Sequence, residues 1–134
     1  ALHEALCALD EVPHVERTAA EITEHALAGG CRHCVEALEL FCALLGTVAG
    51  DLALTLGARG GLYIGGGIVP RLGDFFLRSA FRERFVAKGR FRPWLEQIPT
   101  WVILAPHAAL TGASAALDRA IEVGFTALAE PPPP

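Results

Sequence analysis

The sequence contains no methionine, one tyrosine and only 19% charged residues. Because a gene product begins with methionine, we expect a chain that starts at Ala1 to be processed, or to be a piece of a longer protein. No apolar run approaches the roughly 20 residues of a membrane span, and no signal-peptide pattern is present, so we expect no membrane and a cytoplasmic location. Positive charge is not in excess either. The formal net charge is -4, which gives no general reason to expect nucleic acid as a partner.

The chain nevertheless has the length and apolar content of a folded domain. Its 134 residues are enough for one hydrophobic core, and 52% hydrophobic residues exclude a disordered chain. Two short apolar runs predict strands at residues 62–64 and 101–105, the second buried on both faces and parallel. Apolar periodicity and end signals predict helices at residues 2–9, 18–28, 32–56, 70–78 and 113–123, with one or two further helical turns in 79–97.

The longest predicted helix, residues 32–56, carries apolar side chains on several faces, which is typical of a helix buried in a larger body. Gly46 and Gly50 lie four residues apart in its interior, where each glycine costs about 1 kcal/mol relative to alanine. Either close packing against another backbone or a kink would explain them. The preceding helix begins with a capping box made by Thr18 and Glu21.

Residues 60–71 read as a strand, a glycine turn and the start of a helix. Gly65, Gly66 and Gly67 permit positive φ and close approach of a ligand to the backbone, and Pro70 suits the first turn of a helix. Such turns form nucleotide pockets in α/β proteins, but they also occur without a ligand for tight packing. The stretch is not a P-loop, and Pro70 stands where the dinucleotide fingerprint has its third glycine.

Residues 61–71, GLYIGGGIVPR, resemble the adenosine-side motif of bacterial glucokinases, which belong to the sugar-kinase, actin and heat-shock ATPase superfamily. Residues 40–57 resemble the helix before this motif, and residues 88–91, 98–99 and 110–113 resemble segments after it. The resemblance covers residues 31–117 well and the first 30 loosely. It matches only the C-terminal part of such an enzyme, less than half of it.

The resemblance implies an α/β fold, namely the C-terminal fragment of a ribonuclease H-like (actin- or hexokinase-type) ATPase domain, mostly helical with two parallel core strands. Residues 1–129 would form the nucleotide-side part of the large domain. Residues 130–134 would be a proline-rich tail or a linker, since some glucokinases are fused to a sugar-phosphate-binding regulator. Three further strands would come from upstream sequence. We therefore expect an exposed apolar face, with a homodimer or other self-association, or marginal stability.

The implied function is an ATP-dependent glucokinase that phosphorylates glucose to glucose 6-phosphate, using ATP with Mg2+. This chain would supply the adenosine side of the site: the ribose and α-phosphate would lie beside Gly66 and Gly67, and the adenine side would be lined by Ile68 and Val69. The last helix would close the pocket with three residues, Leu110, Thr111 and Gly112. Many relatives carry alanine at the position of Gly65.

No catalytic residue is assigned to this chain. In glucokinases the catalytic aspartate and the glucose-binding residues lie upstream of Ala1, so we expect the isolated chain to be inactive. None of the aspartates lies in a motif that fits a catalytic base; they are Asp10, Asp51, Asp74 and Asp118. His107 is interpreted as a polar loop residue. A non-catalytic sugar- or nucleotide-sensing module of the same fold stays open as the alternative. An aspartate in the upstream cleft would favour the kinase.

The CxxC sequence from Cys31 to Cys34, with His25 upstream, is typical of a zinc site or a redox pair. A zinc site requires a second ligand pair at comparable spacing, and none is visible in the sequence. A thioredoxin-like pair would follow a strand, and no strand is predicted before Cys31. The sequence therefore favours reduced thiols at a helix start, with no metal.

Seven of the eleven lysine and arginine residues lie between residues 71 and 92, interleaved with phenylalanines. Basic residues among aromatic ones can form a nucleic-acid or phosphate surface. They can equally form a solvated face whose arginine stems cover an aromatic core. We favour the second interpretation and predict no nucleic-acid partner.

Overall fold

The computed structural model of the chain describes residues 2–129, with side chains to residue 122. The chain divides into two compact units, Ala1–Val102 and Ile103–Pro134. The first unit contains α1 (Leu2–Leu9), α2 (Ala19–Leu27), α3 (Arg32–Leu56), β1 (Leu62–Ile64), α4 (Val69–Leu72), α5 (Asp74–Arg78), α6 (Phe81–Val86), a 3-10 turn (Gly89–Phe91), α7 (Arg92–Glu96) and β2 (Thr100–Val102). The second unit contains α8 (Ala108–Ala129). The described chain is thus mostly helical with two strands.

The first unit is organised around α3, which contacts α1, α2, α6 and α7. The approach of α6 is close because α3 has no side chains at the crossing. A Cβ atom at Gly46 would collide with the backbone oxygen of Phe81, and one at Gly50 with the backbone oxygen of Phe85. Close packing, and not a kink, therefore explains the two helix-interior glycines. Phe85 is fully buried at this contact.

The ends of α2 and α3 follow the local signals of the sequence. Thr18 caps α2: its Oγ1 accepts a hydrogen bond from the backbone N–H of Glu21 at 3.3 Å, and its own N–H donates to Glu21 Oε2 at 2.7 Å. Gly57 ends α3 with φ 60°, a left-handed conformation that glycine adopts without strain. The predicted capping box and the predicted bounds of α3 are confirmed.

The region after β1 is more broken than the sequence predicts. A single helix was expected over residues 70–78, but α4 and α5 are separated at Gly73, where φ is 50° and ψ is -127°. A helix cannot continue through that conformation, and glycine adopts it readily. Residues 79–97 contain three helical segments, where one or two turns were predicted.

The two strands pair in parallel, as predicted, with Leu62 opposite Thr100 and Ile64 opposite Val102. The second strand is shorter than predicted and ends at Val102. The expectation that it is buried on both faces is wrong, because Trp101 is 41% exposed. Its ring stacks on Tyr63 at 4.7 Å between centroids, so the outer face of this two-stranded sheet is aromatic and open to solvent.

The second unit begins its helix earlier than predicted. The chain turns at His107, where φ is 56°, and the backbone N–H groups of Leu110 and Thr111 both donate to its carbonyl oxygen. Helix α8 therefore starts at Ala108, and Thr111 and Gly112 lie inside the helix where the sequence placed them before it. The predicted proline-rich tail, residues 130–134, lies outside the described residues.

One face of α3 is apolar and exposed, and an exposed apolar face was predicted. Its side chains recur every fourth residue and are 39–75% exposed; we call them the α3 stripe: Leu40, Leu44, Val48, Leu52 and Leu56. By length and composition alone α3 could cross a membrane, since an 18-residue window has a mean hydropathy of 1.7, and 39% of that window is buried. A buried core helix of a soluble protein passes the same test, so the expectation of no membrane stays a prediction. Acidic and threonine residues interrupt the apolar sequence of α3, so it contains no continuous apolar run of membrane length.

Candidate functional site

The glycine turn joins β1 to α4 at one end of the small sheet. Gly66 has φ 112°, a conformation in which a side chain is strained, so this position requires glycine. Val69 begins α4, with Pro70 at its first turn. The side chain of Val69 is 6% exposed and packs in the hydrophobic core, which fixes the base of the turn. The backbone of Val69, and not its side chain, would therefore face a ligand.

The turn is open on its outer side. A Cβ atom built at Gly66 or at Gly67 meets no atom within 4 Å. These glycines are therefore not explained by packing, in contrast to Gly46, whose Cβ position is occupied by backbone. Tight internal packing therefore does not account for Gly67, and its Cβ position is open to solvent.

A groove of about 400 Å³ lies beside the turn. Its volume falls within the range of about 300–1,000 Å³ that is typical of small-molecule sites. One wall is a face of α2 and the other is the turn and the start of α4. We call it the α2 groove; its lining residues are Ala19, Ala20, Thr23, Glu24, Leu27, Gly67, Ile68 and Arg71.

The α2 groove combines a shallow apolar floor with charge at its rim. Ala19, Ala20 and Thr23 are small, so the helix wall stays low enough for a flat group to lie on it. Ile68 is 53% exposed and also borders a second cavity of about 350 Å³ that shares the α2 wall. The lining contains one cation, Arg71, which could pair with a phosphate, and one anion, Glu24.

The residues predicted for the last part of the pocket lie together in the first turns of α8. Leu110 is 69% exposed, and a Cβ atom at Gly112 would meet open space. Thr111 Oγ1 lies 3.4 Å from the carbonyl oxygen of His107, to which it donates. The structure thus gathers the seven predicted residues into two groups: Gly66 to Val69 in the first unit and Leu110 to Gly112 in the second.

Helix α2 is the part of the site that sequence reasoning missed. Its groove-lining residues, which include Ala19, Thr23 and Leu27, recur at spacings of four on one helix face. A run of small residues on one face of a short capped helix was the available signal. It could not indicate which other segment the face meets, because that contact joins residues forty or more positions apart.

The aspartates remain without a catalytic assignment. Asp10 lies 3.0 Å from His33, and the Asp51 carboxylate pairs with Lys88 at 2.6 Å. Asp74 starts α5, and Asp118 lies on α8. None of the four lines the α2 groove.

Two side chains of the basic region support the fold directly. Arg82 donates to the carbonyl oxygens of Glu96 and Ile98 at 2.9 Å each, and its guanidinium lies over the Phe85 ring. Lys88 donates to the carbonyl oxygen of Thr47 at 2.9 Å. These contacts favour the interpretation of residues 71–92 as a basic cover over an aromatic core.

A family model for glucokinase matches residues 1–120 of this chain. The glucokinase of Aromatoleum aromaticum is 59% identical over 121 residues, which are 90% of this chain and 37% of that protein. The glucokinase of Chromobacterium violaceum is 55% identical over 116 residues, 87% of this chain and 33% of that protein. A bifunctional protein glk of Burkholderia pseudomallei is 58% identical over 98 residues, 73% of this chain and 15% of that protein.

The crystal structure of a glucokinase from an Antarctic psychrotroph is similar in fold, with a TM-score of 0.79 and 41% sequence identity. The similarity covers 88% of this chain and 37% of that structure. The chain thus spans about a third of the length of the glucokinases that it matches.

Proposed function

This chain belongs to the glucokinase family, and from that premise we propose that it supplies the adenosine side of the ATP site in an ATP-dependent glucokinase. The complete enzyme would phosphorylate glucose to glucose 6-phosphate in the cytoplasm. Bound Mg2+ would neutralise charge on the phosphates of ATP. Glucose and the catalytic base would be held by sequence outside this chain, so the isolated chain would be inactive.

The observation that carries this proposal is the empty space beside Gly66 and Gly67, next to a groove of about 400 Å³. A nucleotide can approach main-chain N–H groups only where no side chain intervenes, and helix-linked glycine turns provide that access. A turn filled by neighbouring side chains would have excluded this role.

Each part of the site has a distinct role in the proposal. The backbone of Gly66 and Gly67 would lie along the ribose and α-phosphate. The adenine would lie against Ile68 and the backbone of Val69, with the small α2 residues as its floor. Arg71 at the rim would attract the phosphates. The first turns of α8 would close the pocket through Leu110, Thr111 and Gly112.

The α3 stripe supports the proposed place of this chain in a larger domain. Five large apolar side chains on one helix face are more than an isolated surface helix normally exposes. We propose that residues 1–129 are the nucleotide-side part of a ribonuclease H-like large domain, whose upstream strands cover this face. Residues 130–134 would be a tail or linker. Without the upstream strands, the exposed stripe would lead the isolated chain to form a homodimer or another self-associated state, or would leave it marginally stable.

Kinetics of the complete enzyme test the assignment. Gly67→Val places a side chain in open space at a position without positive φ, so the fold tolerates it while the nucleotide loses room. We expect the KM for ATP to rise at least about tenfold, a loss of about 1.4 kcal/mol of binding, with the KM for glucose unchanged. Gly60→Val is the matched control, since Gly60 also meets open space but lies at the other end of β1. Equal KM values for ATP in the two variants would contradict the proposal.

The same enzyme separates the kinase from a non-catalytic sensor. A sensor would bind nucleotide through this turn and would be disturbed by Gly67→Val, but it would form no glucose 6-phosphate. Product formation by the complete protein therefore decides between the two.

A further inference from the structure

Four side chains with metal-binding atoms meet where α1 packs on the start of α3. One ring nitrogen of His3 and the sulfurs of Cys31 and Cys34 all lie within 4.8 Å of one another. Cys7 lies one helical turn beyond His3 on the same face of α1, and its sulfur is 3.7 Å from His3 Nε2. The second ligand pair that the sequence lacks near the CxxC is thus brought to it from another helix.

His3 provides an independent sign that a ligand belongs in this cluster. Its side chain is buried, with only 3% of the residue exposed, and its Nδ1 has no hydrogen-bond partner among the described residues. A buried polar atom without a partner costs about 1–3 kcal/mol, so such atoms call for an explanation. Coordination of an ion through Nδ1 would supply that partner.

We propose that His3, Cys31 and Cys34 hold a Zn2+ ion, with the sulfur of Cys7 as the fourth ligand. Zinc bonds of about 2.0–2.1 Å to nitrogen and 2.3 Å to sulfur place these atoms about 3.6 Å apart on the edge of a tetrahedron. The observed 3.7 Å between His3 Nε2 and Cys7 Sγ matches that edge. The ligand atoms of His3, Cys31 and Cys34 lie within 4.8 Å of one another. They would therefore approach one another by up to about 1 Å to bind the same ion.

The charges around the cluster suit this site. Three thiolates and one neutral imidazole around Zn2+ carry one net negative charge. Arg17 lies at the cluster, with Nη1 3.4 Å from His3 Nε2, and its guanidinium would offset that charge. Whichever ring nitrogen binds zinc, Nε2 no longer accepts from Arg17, so the guanidinium would donate to a thiolate instead. Binding through Nδ1 would also supply the missing partner of that atom.

The site would be structural and would not take part in a reaction. Four protein ligands close a zinc site to substrate, which is the structural type. The two elements that it joins, Leu2–Leu9 and the first turn of α3, are also held by packing, since α1 contacts α3. The ion would therefore fix α1 without being required for the glycine turn, and the proposal is independent of the proposed function.

Metal titration of the reduced protein tests the site. We expect one Zn2+ per chain, and Co2+ in its place should give the strong thiolate-to-cobalt charge-transfer absorption of a cysteine site. Cys34→Ala and His3→Ala should each weaken Zn2+ binding at least about tenfold. Cys42→Ala is the matched control for Cys34→Ala, because Cys42 is also 0% exposed and lies on the same helix outside the cluster. It should bind Zn2+ as the parent does.

The measurements are made both on the chain and on the complete enzyme, so that poor folding of a chain variant does not decide the result. Three outcomes would overturn the proposal. Cys34→Ala could bind Zn2+ as tightly as Cys42→Ala. Co2+ could bind without charge-transfer absorption, which would point to the other group of possible ligands, Asp10, His33 and Glu36. The folded parent could fail to bind either ion, with Cys31 and Cys34 forming only a disulfide in the presence of an oxidant.

Discussion

The glycines in two regions of this molecule differ in the space around their Cβ positions. At the contact of α3 with α6, Gly46 and Gly50 lie against the backbone of Phe81 and Phe85, and an added Cβ atom would collide. At the turn after β1, the Cβ position of Gly67 is empty. The first region is explained entirely by packing inside the chain. The second leaves open space, which the proposed nucleotide site would use.

Substitution at the helix contact should have the largest effect on stability. We expect Gly46→Ala to lower the free energy of unfolding by about 2–3 kcal/mol, because overpacking outweighs the gain of about 1 kcal/mol in helix propensity. Gly112→Ala, in a helix with open space at the Cβ position, should stabilise the protein by up to about 1 kcal/mol. Urea denaturation of both variants measures the difference. A stabilising Gly46→Ala would show that the α3–α6 contact is looser than described.

Within the turn, Gly66 and Gly67 should differ from each other. Gly66 has φ 112°, so Gly66→Ala should cost about 1–2 kcal/mol of stability through backbone strain. Gly67→Ala should change stability by less than about 0.5 kcal/mol, as is usual for substitutions at open positions. Thermal melts of the two single variants give the comparison. Equal melting temperatures would mean that the turn does not hold the described conformation.

A large side chain in the α2 groove should weaken the binding of the ligand and leave the fold intact. Ala20 is exposed on the α2 wall, so Ala20→Trp adds a large ring to the groove without disturbing the core. We expect the affinity for ADP to fall about tenfold, or 1.4 kcal/mol. Calorimetric titration measures it, with Glu16→Trp as a surface control outside the groove. Unchanged ADP affinity in Ala20→Trp would show that the nucleotide does not bind in the α2 groove.

The smallest effect concerns the capping box at the start of α2. Hydrogen bonds from the backbone and side chain of Thr18 lower the pKa of Glu21. A lowered pKa in the folded state stabilises the protein above the ordinary pKa of a glutamate, and this contribution is lost as pH falls through the folded value. Glu21→Gln should therefore be slightly less stable than the parent at neutral pH, with the difference shrinking below pH 4.5. A difference independent of pH would contradict the role of the charge.

Local signals in the sequence predicted the elements that depend on local physics. The bounds of α3, the Thr18 cap and strand β1 follow from periodicity, capping chemistry and flanking glycines. The break at Gly73 was missed because glycine permits, but does not require, a non-helical conformation. The early start of α8 was missed because it depends on a left-handed residue, His107, that no propensity favours strongly.

The candidate sites were predictable only in part, because some of their residues meet through contacts between distant segments. The glycine turn could be found from residues 60–71 alone, and the family resemblance assigned it to the nucleotide. The α2 wall and the approach of His3 to Cys31 depend on contacts between distant segments. Sequence spacing shows neither, so the zinc interpretation of the CxxC lacked its second ligand pair until α1 was seen to lie beside it.

The most direct test of the nucleotide assignment is a titration of ADP into the parent chain, Gly67→Val and Gly60→Val. We predict that ADP binds the parent and Gly60→Val with the same affinity and binds Gly67→Val at least about tenfold more weakly, with all three chains equally stable. If ADP binds and Gly67→Val leaves its affinity unchanged, the open glycine turn is not the nucleotide site.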